Sequence, residues 1–515
     1  MGPWGAFASA GGLTRRGRGD CWHTRDSGGQ PLQPLPWEAA RPGLDAGDLA
    51  PEALLRMARE HLEREEPTLG ALQQLLPEGG GAWARAAHRR LRAGERGGLL
   101  GLPFVVKDNF ALAGHPMGCG SRILEGYRPP FTATVVGRLL EAGAVPIASA
   151  RMDEFAMGSS GEYCAGGATR NPWDPSRVPG GSSSGPAVAV AADYVPFALG
   201  SDTGGSVRLP AGFCGVSGLR PTFGVLSRWG IAAMASSLDQ AGPIARSAVL
   251  LAEALHAMAG RDSLDILSVD LPRRDALKDL GPARLRGLRV GLPKEYLGPG
   301  VHPGIRERVQ EAMSSLAGEG ADIVELSLPS TEFSIETYYL LCTSEVSSNM
   351  SRYDGMRFGR RVGGEGPRSV AAHTRDAGFG AEVKRRILLG SFCLSRGYYD
   401  AFYLRAQKAR TLIRQDFDRA LRIVDVLAGP ISPTPPFRLG EKTRDPLEMY
   451  LADIFTVGPA LAGLPCVSLP AGLADGLPVG LQFIARSLED VFLLELAHAF
   501  QQITSHHKLR PGGAS

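Results

Sequence analysis

The sequence is short of the features that settle a protein's class at a glance. Its seven cysteines, Cys21, Cys119, Cys164, Cys214, Cys342, Cys393 and Cys466, include no Cys-x-x-Cys pair. That spacing argues against a zinc site or a disulfide scaffold and fits a reducing compartment. No uninterrupted apolar run reaches the roughly 18 residues of a membrane span, since even "PAVAVAADYVPFALG" carries Asp193 in its middle. Net charge is scarce: 56 basic against 53 acidic side chains leave +3 over 515 residues, which gives no global case for binding nucleic acid. There is no Gly-x-x-x-x-Gly-Lys-Ser/Thr loop for nucleotide phosphates, no convincing metal cluster and no internal repeat. What is present is an ordinary globular composition, 43% hydrophobic and 21% charged, long enough for one large core or two smaller ones.

Residues 1–50 are rich in Gly, Pro and Arg and read as low-complexity loop or disorder. Arg15, Arg16 and Arg18, with no acid in residues 1–19, faintly suggest a transit peptide, although the stretch is Gly-rich and has no long apolar segment. Periodic structure begins with the helical pattern "PEALLRMAREHLE". "GLPFVV" reads as a short buried strand ending in the polar triplet Lys107-Asp108-Asn109. "TVVGRLLEAGAVPIAS" reads as helix, glycine stop and strand, and residues 288–328 repeat that alternation. A helical stretch from Glu382 to about Leu421, interrupted at Gly390 and Gly397, precedes the strands "CVSLPAG" and "LPVGLQFIA" and the closing helix "DVFLLELAHAFQQI". Alternating helices and strands predict an α/β fold with a largely parallel or mixed sheet. No linker divides residues 51–505, so one domain is expected there, with 506–515 as a tail.

Two segments, "VPGGSSSGPAVAVAA" and "GSDTGGSVR", put serines beside glycines at the edge of apolar structure. Either alone reads as a turn. Gly181-Ser182-Ser183-Ser184-Gly185 also fits the Gly-x-Ser-x-Gly nucleophile elbow with Ser183 as nucleophile. That reading needs a late histidine, and His498, His506 and His507 lie in the C-terminal helix and tail with no motif around them. In the second segment, glycines between a strand and a helix let backbone N–H groups converge where side chains would block access.

Taken in order, "GLPFVVKDN", "PGGSSSG" and "ALGSDTGGSVRLPAGFCGVSGLRPTFG" resemble the amidase signature family, over roughly residues 100–500. The resemblance implies a mixed central β-sheet flanked by helices on both faces and a Ser-Ser-Lys triad of Lys107, Ser182 and Ser206. The chemistry is consistent without it. A serine hydroxyl is a weak nucleophile that needs a base, and a lysine serves if desolvation holds its amine neutral. Ser182 would bridge Ser206 to Lys107, and the amides of Thr203, Gly204, Gly205 and Ser206 would converge on an oxyanion. Ser184, Pro186 and Ser149-Ala150-Arg151 depart from the family's usual residues.

The later stretches "TSEVSSNMSRYDGMRFG", "AGFGAEVKRRILLGSFCLSRGYYDAFYLRAQKARTLI" and "DPLEMYLADIFTVGPALAGLP" resemble the tRNA-dependent amidotransferase branch of that family. The resemblance implies that Arg386 and Asp453 hold the α-carboxylate and α-ammonium of glutamine. It also implies a heterotrimer in which this chain releases ammonia. A B subunit, using ATP and magnesium, would convert Glu-tRNA(Gln), and a small C subunit would stabilise the pair. This chain itself is expected to bind no cofactor or metal. Read locally, Arg386 and Asp453 are solvated helix residues, as are Arg405, Lys408, Arg410 and Arg414, which otherwise suggest a tRNA contact. A stand-alone amidase with another substrate and a non-catalytic scaffold remain as alternatives. The cytoplasm of a bacterium is the expected location, an organelle matrix the alternative.

Overall fold

The structure, a computed structural model, describes residues 37–512. Eleven strands form one sheet: β1 (Leu72–Leu75), β2 (Pro103–Lys107), β3 (Val145–Ala150), β4 (Phe197–Asp202), β5 (Ser217–Arg220), β6 (Gln240–Ala245), β7 (Arg289–Pro293), β8 (Asp322–Leu326), β9 (Val426–Pro430), β10 (Cys466–Ala474) and β11 (Leu477–Ile484). Their spatial order is β1-β3-β2-β4-β6-β5-β10-β11-β9-β7-β8. β2 runs parallel to β3 and β4, and β7 parallel to β8 and β9, while the remaining neighbours are antiparallel. The fold is therefore α/β with a mixed sheet flanked by helices on both faces, as the alternating pattern implies.

The parallel trio β3-β2-β4 is buried except for the half-buried Ser149, and its sequences are correspondingly apolar on both faces. The short helix Ser184–Ala191, "SGPAVAVA", packs against these strands and is buried at every position. Its residues are small and carry no polar face, the composition of a helix enclosed on all sides. Pro186 sits in the first turn, where an N–H would lack an intrahelical partner.

Three expectations change. Within residues 1–50, Trp37–Ala46 is a helix rather than loop. Trp37, Ala40 and Leu44 are buried in the core, and Trp37 Nε1 donates to Asp193 O at 3.2 Å. Arg15, Arg16, Arg18 and Cys21 lie outside the described residues. Gly390 does not interrupt its helix, which runs through it from Ala381 to Cys393. A Cβ there would lie 1.8 Å from Thr343 O on the helix Ser334–Asn349, so this glycine permits close helix approach instead of ending a helix. The break falls at Gly397, at φ +90°, followed by a π-turn over Asp400–Leu404 and the helix Arg405–Ile423. The tail is also anchored, because Arg510 Nε donates to Asp193 Oδ2 at 3.1 Å.

Among the described residues no helix is long and apolar enough to cross a membrane, and no group of His, Cys, Asp and Glu is placed to hold a metal ion. The helix contact at Gly390 is open to test. Gly390→Ala forces the two helices apart and lowers stability by about 1–3 kcal/mol, read as an earlier midpoint in chemical denaturation.

Candidate active site

Lys107 is the last residue of β2 and Asp202 the last of β4, and the two strands are parallel neighbours. Side chains and loops at these carboxyl ends therefore meet in one crevice. The helix Ser184–Ala191 brings the loop before it, Val178–Ser183, over the same ends. Lys107 Nζ contacts Ser182 Oγ at 2.8 Å, Ser183 Oγ at 2.9 Å, Ser201 Oγ at 2.9 Å and Ser201 O at 3.2 Å. The nucleophile loop is tied to the same segment where Ser183 N donates to Ser206 O at 3.1 Å. The structure thus puts Lys107 and Ser182 in direct contact and ties the backbone of Ser206 to the same segment, with no hydrogen bond between Ser206 Oγ and Ser182 among the described residues.

Lys107 is fully buried, and burial pushes its pKa down to about 7 against the opposing charges of Asp153, Asp202 and Asp239. None of these makes a hydrogen bond to Nζ, so the ammonium is not locked by an ion pair. Asp153, raised by burial to about 6, accepts from the amides of Gly161 and Tyr163. It lies so close to the serine loop that a Cβ at Gly181 would stand 2.0 Å from Asp153 Oδ2. Glycine is required at that position by contact.

The loop from Thr203 to Ser206 is fixed from beneath by Asp202. Its Oδ2 accepts from Val207 N at 3.2 Å and Arg208 Nε at 3.0 Å, and its Oδ1 from Arg208 Nη2 at 3.1 Å and Arg220 Nη1 at 3.0 Å. The two guanidinium groups hold the carboxyl well below the usual range. Thr203 Oγ1 donates to Asp239 Oδ1 at 2.7 Å. Among the described residues the amides of Thr203, Gly204, Gly205 and Ser206 donate to no protein acceptor. The fold therefore leaves these four amides unengaged. A Cβ at Gly204 would lie 2.7 Å from the Tyr338 ring and one at Gly205 2.3 Å from Thr456 Oγ1, so side chains are excluded from both positions.

Arg386 and Asp453 are buried, contrary to the solvated-helix reading, whereas Arg405, Lys408 and Arg414 are exposed. Arg410 is engaged within the fold through Leu461 O at 2.8 Å and Ser237 Oγ at 3.0 Å. Arg386 Nε donates to Glu382 Oε1 at 2.8 Å, and its guanidinium lies 5.2 Å from the Tyr339 ring and 5.5 Å from the Tyr450 ring. Its Nη groups have no protein acceptor among the described residues. Asp453 Oδ2 accepts from Ser159 Oγ, and its Oδ1 has no protein donor among the described residues. Burial raises Asp453 to about 7. Both charges act on Tyr338 and Tyr339, and Tyr338 abuts Gly204. A cation and an anion with open hydrogen-bonding sites thus adjoin the nucleophile loop.

The elbow reading with Ser183 fails on geometry. Ser183 Oγ bonds Lys107 and Ser201, with no histidine among its partners. The departures at Ser184 and Arg151 stay clear of Lys107. Ser184 Oγ pairs with Thr169 Oγ1 at 3.3 Å, and Arg151 joins the surrounding loops through its backbone. Residues not singled out in the sequence include Asp202, Arg208 and Arg220, the aromatic walls Tyr338, Tyr339 and Tyr450, and Ser159, Glu382 and Ser201, while Asn109 figures there only as part of the polar triplet at the end of β2. The Asp-x5-Arg spacing of Asp202 and Arg208 was a readable signal. The tyrosines, distant in sequence from the glycine-rich segments, gave none.

The catalytic motifs, the mixed sheet and the buried lysine define an amidase, and the chain belongs to the amidase family, whose profile matches residues 53–494. It is 50% identical over 471 residues to the A subunit of the glutamyl-tRNA(Gln) amidotransferase of Halorhodospira halophila, covering 91% of this chain and 97% of that protein. To its counterpart from Symbiobacterium thermophilum it is 49% identical over 469 residues, covering 90% and 96%. Among solved structures it resembles the A subunit of the Thermotoga maritima glutamyl-tRNA(Gln) amidotransferase, with a TM-score of 0.71, 37% identity and coverage of 88% and 94%. It also resembles the peptide amidase of Stenotrophomonas maltophilia, with a TM-score of 0.77, 32% identity and coverage of 90% and 96%. Proteins acting on different amides therefore share this backbone, and the backbone alone does not select a substrate.

Replacing Asp202 by asparagine leaves two arginines buried without a counter-charge. Asp202→Asn should cost about 3–5 kcal/mol, measured by denaturant unfolding. Because the Asp202 pKa is depressed in the fold, its stabilisation is complete above the ordinary carboxylate range and is lost only as pH falls through the lowered value. The difference between Asp202→Asn and the unaltered chain should stay constant through neutrality and narrow only in acid.

Proposed function

We propose that this chain hydrolyses glutamine to glutamate and ammonia for a tRNA-dependent amidotransferase. The observation that carries the reading is the combination of a buried, near-neutral lysine on Ser182 with the open charges of Arg386 and Asp453 beside the same loop. A free amino acid presents a carboxylate and an ammonium. Arg386, with unengaged Nη groups on a planar fork, matches the carboxylate, and Asp453 Oδ1 the ammonium. Binding an ammonium favours the charged form of Asp453, which burial alone disfavours.

With glutamine so held, Ser206 Oγ attacks the side-chain carboxamide carbon. Ser182 takes the proton of Ser206 as it passes its own to Lys107, and the oxyanion is met by the amides of Thr203 to Ser206. The relay then runs backwards: Lys107 returns a proton through Ser182 to the leaving nitrogen, the C–N bond breaks and ammonia departs. Water attacks the glutamyl ester with the same relay as base, and glutamate leaves with Ser206 restored.

The identity shared with the two bacterial amidotransferase chains supports an assembly in which a B subunit receives the ammonia, with ATP and magnesium bound there, and a C subunit completes a heterotrimer acting on Glu-tRNA(Gln). The helix Ala381–Cys393 is fitted to such an arrangement. It turns Arg386 inward, while Leu388, 71% exposed, Leu389 and Phe392 lie on its outer side. A contiguous apolar face of this kind is characteristic of surfaces that other chains cover. The reducing, soluble interior of a bacterium suits the unpaired cysteines of the described residues. The second reading, a stand-alone amidase, draws on the TM-score of 0.77 with the peptide amidase.

The deciding experiment measures glutamate release from glutamine by the chain alone and with its partner subunits, ATP and Glu-tRNA(Gln), beside Ser206→Ala. Turnover that requires Ser206 and rises with partners supports the proposal. Turnover of uncharged amides with none of glutamine overturns it in favour of the stand-alone enzyme. Arg386→Met should lower kcat/KM for glutamine by about 10- to 100-fold while affecting an uncharged aliphatic amide far less. Because the relay needs neutral Lys107, kcat/KM should rise with pH through about 7 and level off above it. A profile flat from weakly acidic to neutral pH would remove lysine as the base.

A further inference from the structure

The relay depends on which oxygen the Lys107 lone pair faces. A neutral amine offers two N–H groups and one lone pair, and around Nζ stand the hydroxyls of Ser182, Ser183 and Ser201 and, at the longer distance of 3.2 Å, the Ser201 carbonyl oxygen. Ser183 is committed as an acceptor. Its hydroxyl donates to Ser201 O at 3.1 Å, and its oxygen lies 3.3 Å from the Ser201 amide. Ser201 is not committed in that way. Its hydroxyl has no backbone acceptor among the described residues, so its proton is free to hydrogen-bond the amine and occupy the lone pair that Ser182 needs.

The other neighbour of Ser201 Oγ is Asn109, whose Nδ2 stands 3.0 Å away. Asn109 is buried, and its Oδ1 has no hydrogen-bond partner. A carboxamide turned over about its last side-chain bond exchanges nitrogen and oxygen at nearly the same positions. With the oxygen toward Ser201, the orphan atom gains a donor and the Ser201 proton points away from Lys107. Turning it leaves one end of the carboxamide unpaired as before, but it gives the Ser201 hydroxyl an acceptor other than the Lys107 amine, which is what the amine needs to keep its lone pair for Ser182.

We propose that Asn109 is a positioning residue whose carboxamide oxygen accepts the Ser201 hydroxyl hydrogen bond. Ser201 then presents a lone pair to Lys107, and the lone pair of the amine is left for Ser182. This rests on the Ser-Ser-Lys reading of the site and is independent of the choice of glutamine as substrate.

The test is a double-variant cycle on the full chain, read as the rate at which a fluorophosphonate modifies Ser206, located by mass spectrometry. That probe requires an activated serine but no known substrate. Asn109→Ala should slow modification about tenfold or more, a part of the 10²–10⁴ that a positioned base supplies. Ser201→Ala should slow it by a smaller factor, because Lys107 loses one acceptor but also its competitor. The double variant should be no slower than Ser201→Ala alone. Losses from a merely structural role are independent and multiply, so a double variant slowed by the product of the single effects overturns the assignment. So does an Asn109→Ala variant with an unchanged rate. Asn109→Ser carries the same expectations and replaces the alanine variant if that one does not fold. With glutamine as substrate, kcat should fall in the same ratios while KM stays constant. Failure of the unaltered chain to be modified at Ser206 overturns the triad reading and this inference together. Modification without glutamine turnover overturns only the substrate.

Discussion

The active loop depends on one buried carboxylate. Asp202 closes β4, and from that point its two oxygens gather the Val207 amide, the Arg208 fork and Arg220 of β5. Arg208 extends the same network through Thr456 O at 2.9 Å and Gln482 Oε1 at 3.2 Å, reaching β11 and the loop after Asp453. Four chain segments far apart in sequence are thereby referred to one point. Two charges of one sign around one of the other, all out of water, are tolerable only with dense hydrogen bonding, and here Arg220 Nε is left without a partner while both oxygens of Asp202 are engaged. The geometry that satisfies the ions therefore fixes the backbone from Thr203 to Ser206.

Lys107 is treated in the opposite manner. It is as deeply buried as Asp202 but is given hydroxyl and carbonyl oxygens in place of a carboxylate. Desolvation without a contact ion is what lowers an amine into the range where it can accept a proton at neutral pH. Asp153, Asp202 and Asp239 act on it from a distance and temper the shift. A carboxylate in contact would favour the ammonium and leave Ser182 without a base. The two buried groups divide the work, one charged and immobile, the other able to change its protonation.

Much of this was legible in the sequence because it is local. β2 with Lys107 at its end, the serine loop before an apolar helix, and the Asp-Thr-Gly-Gly-Ser turn each lie within a short run, and the helix-strand alternation of residues 288–328 matches β7, Pro303–Gly318 and β8. What misled was also local. Gly390 looks like a helix stop until the neighbouring helix, about 40 residues away, is seen pressing Thr343 O against it. The Gly- and Pro-rich composition around residues 37–46 conceals a helix held by the burial of Trp37, Ala40 and Leu44. Arg386 shares its run with the half-buried Lys384 and Arg385, so no local signal separates the one buried cation from its neighbours. Only the convergence of Tyr339, Tyr450 and Glu382 on it does so.

That convergence explains how one backbone accommodates different amides. The proposed triad and its amides lie on β2, the serine loop and the loop that follows β4, where contact distances exclude side chains at Gly181, Gly204 and Gly205. The charges that would select an amino acid sit on the helix Ala381–Cys393 and beside Val457–Ala462, outside the strands that carry the chemistry. The link between the two regions is a pair of contacts, Tyr338 on Gly204 and Thr456 on Gly205. Substitutions at Arg386 or Asp453 can therefore alter which amide is accepted while the Asp202 network continues to hold the nucleophile. A change at Tyr338 or Thr456 falls on both regions at once. On the proposed reading, selectivity is a property of helices that lean on the loop, and catalysis a property of the strands beneath it.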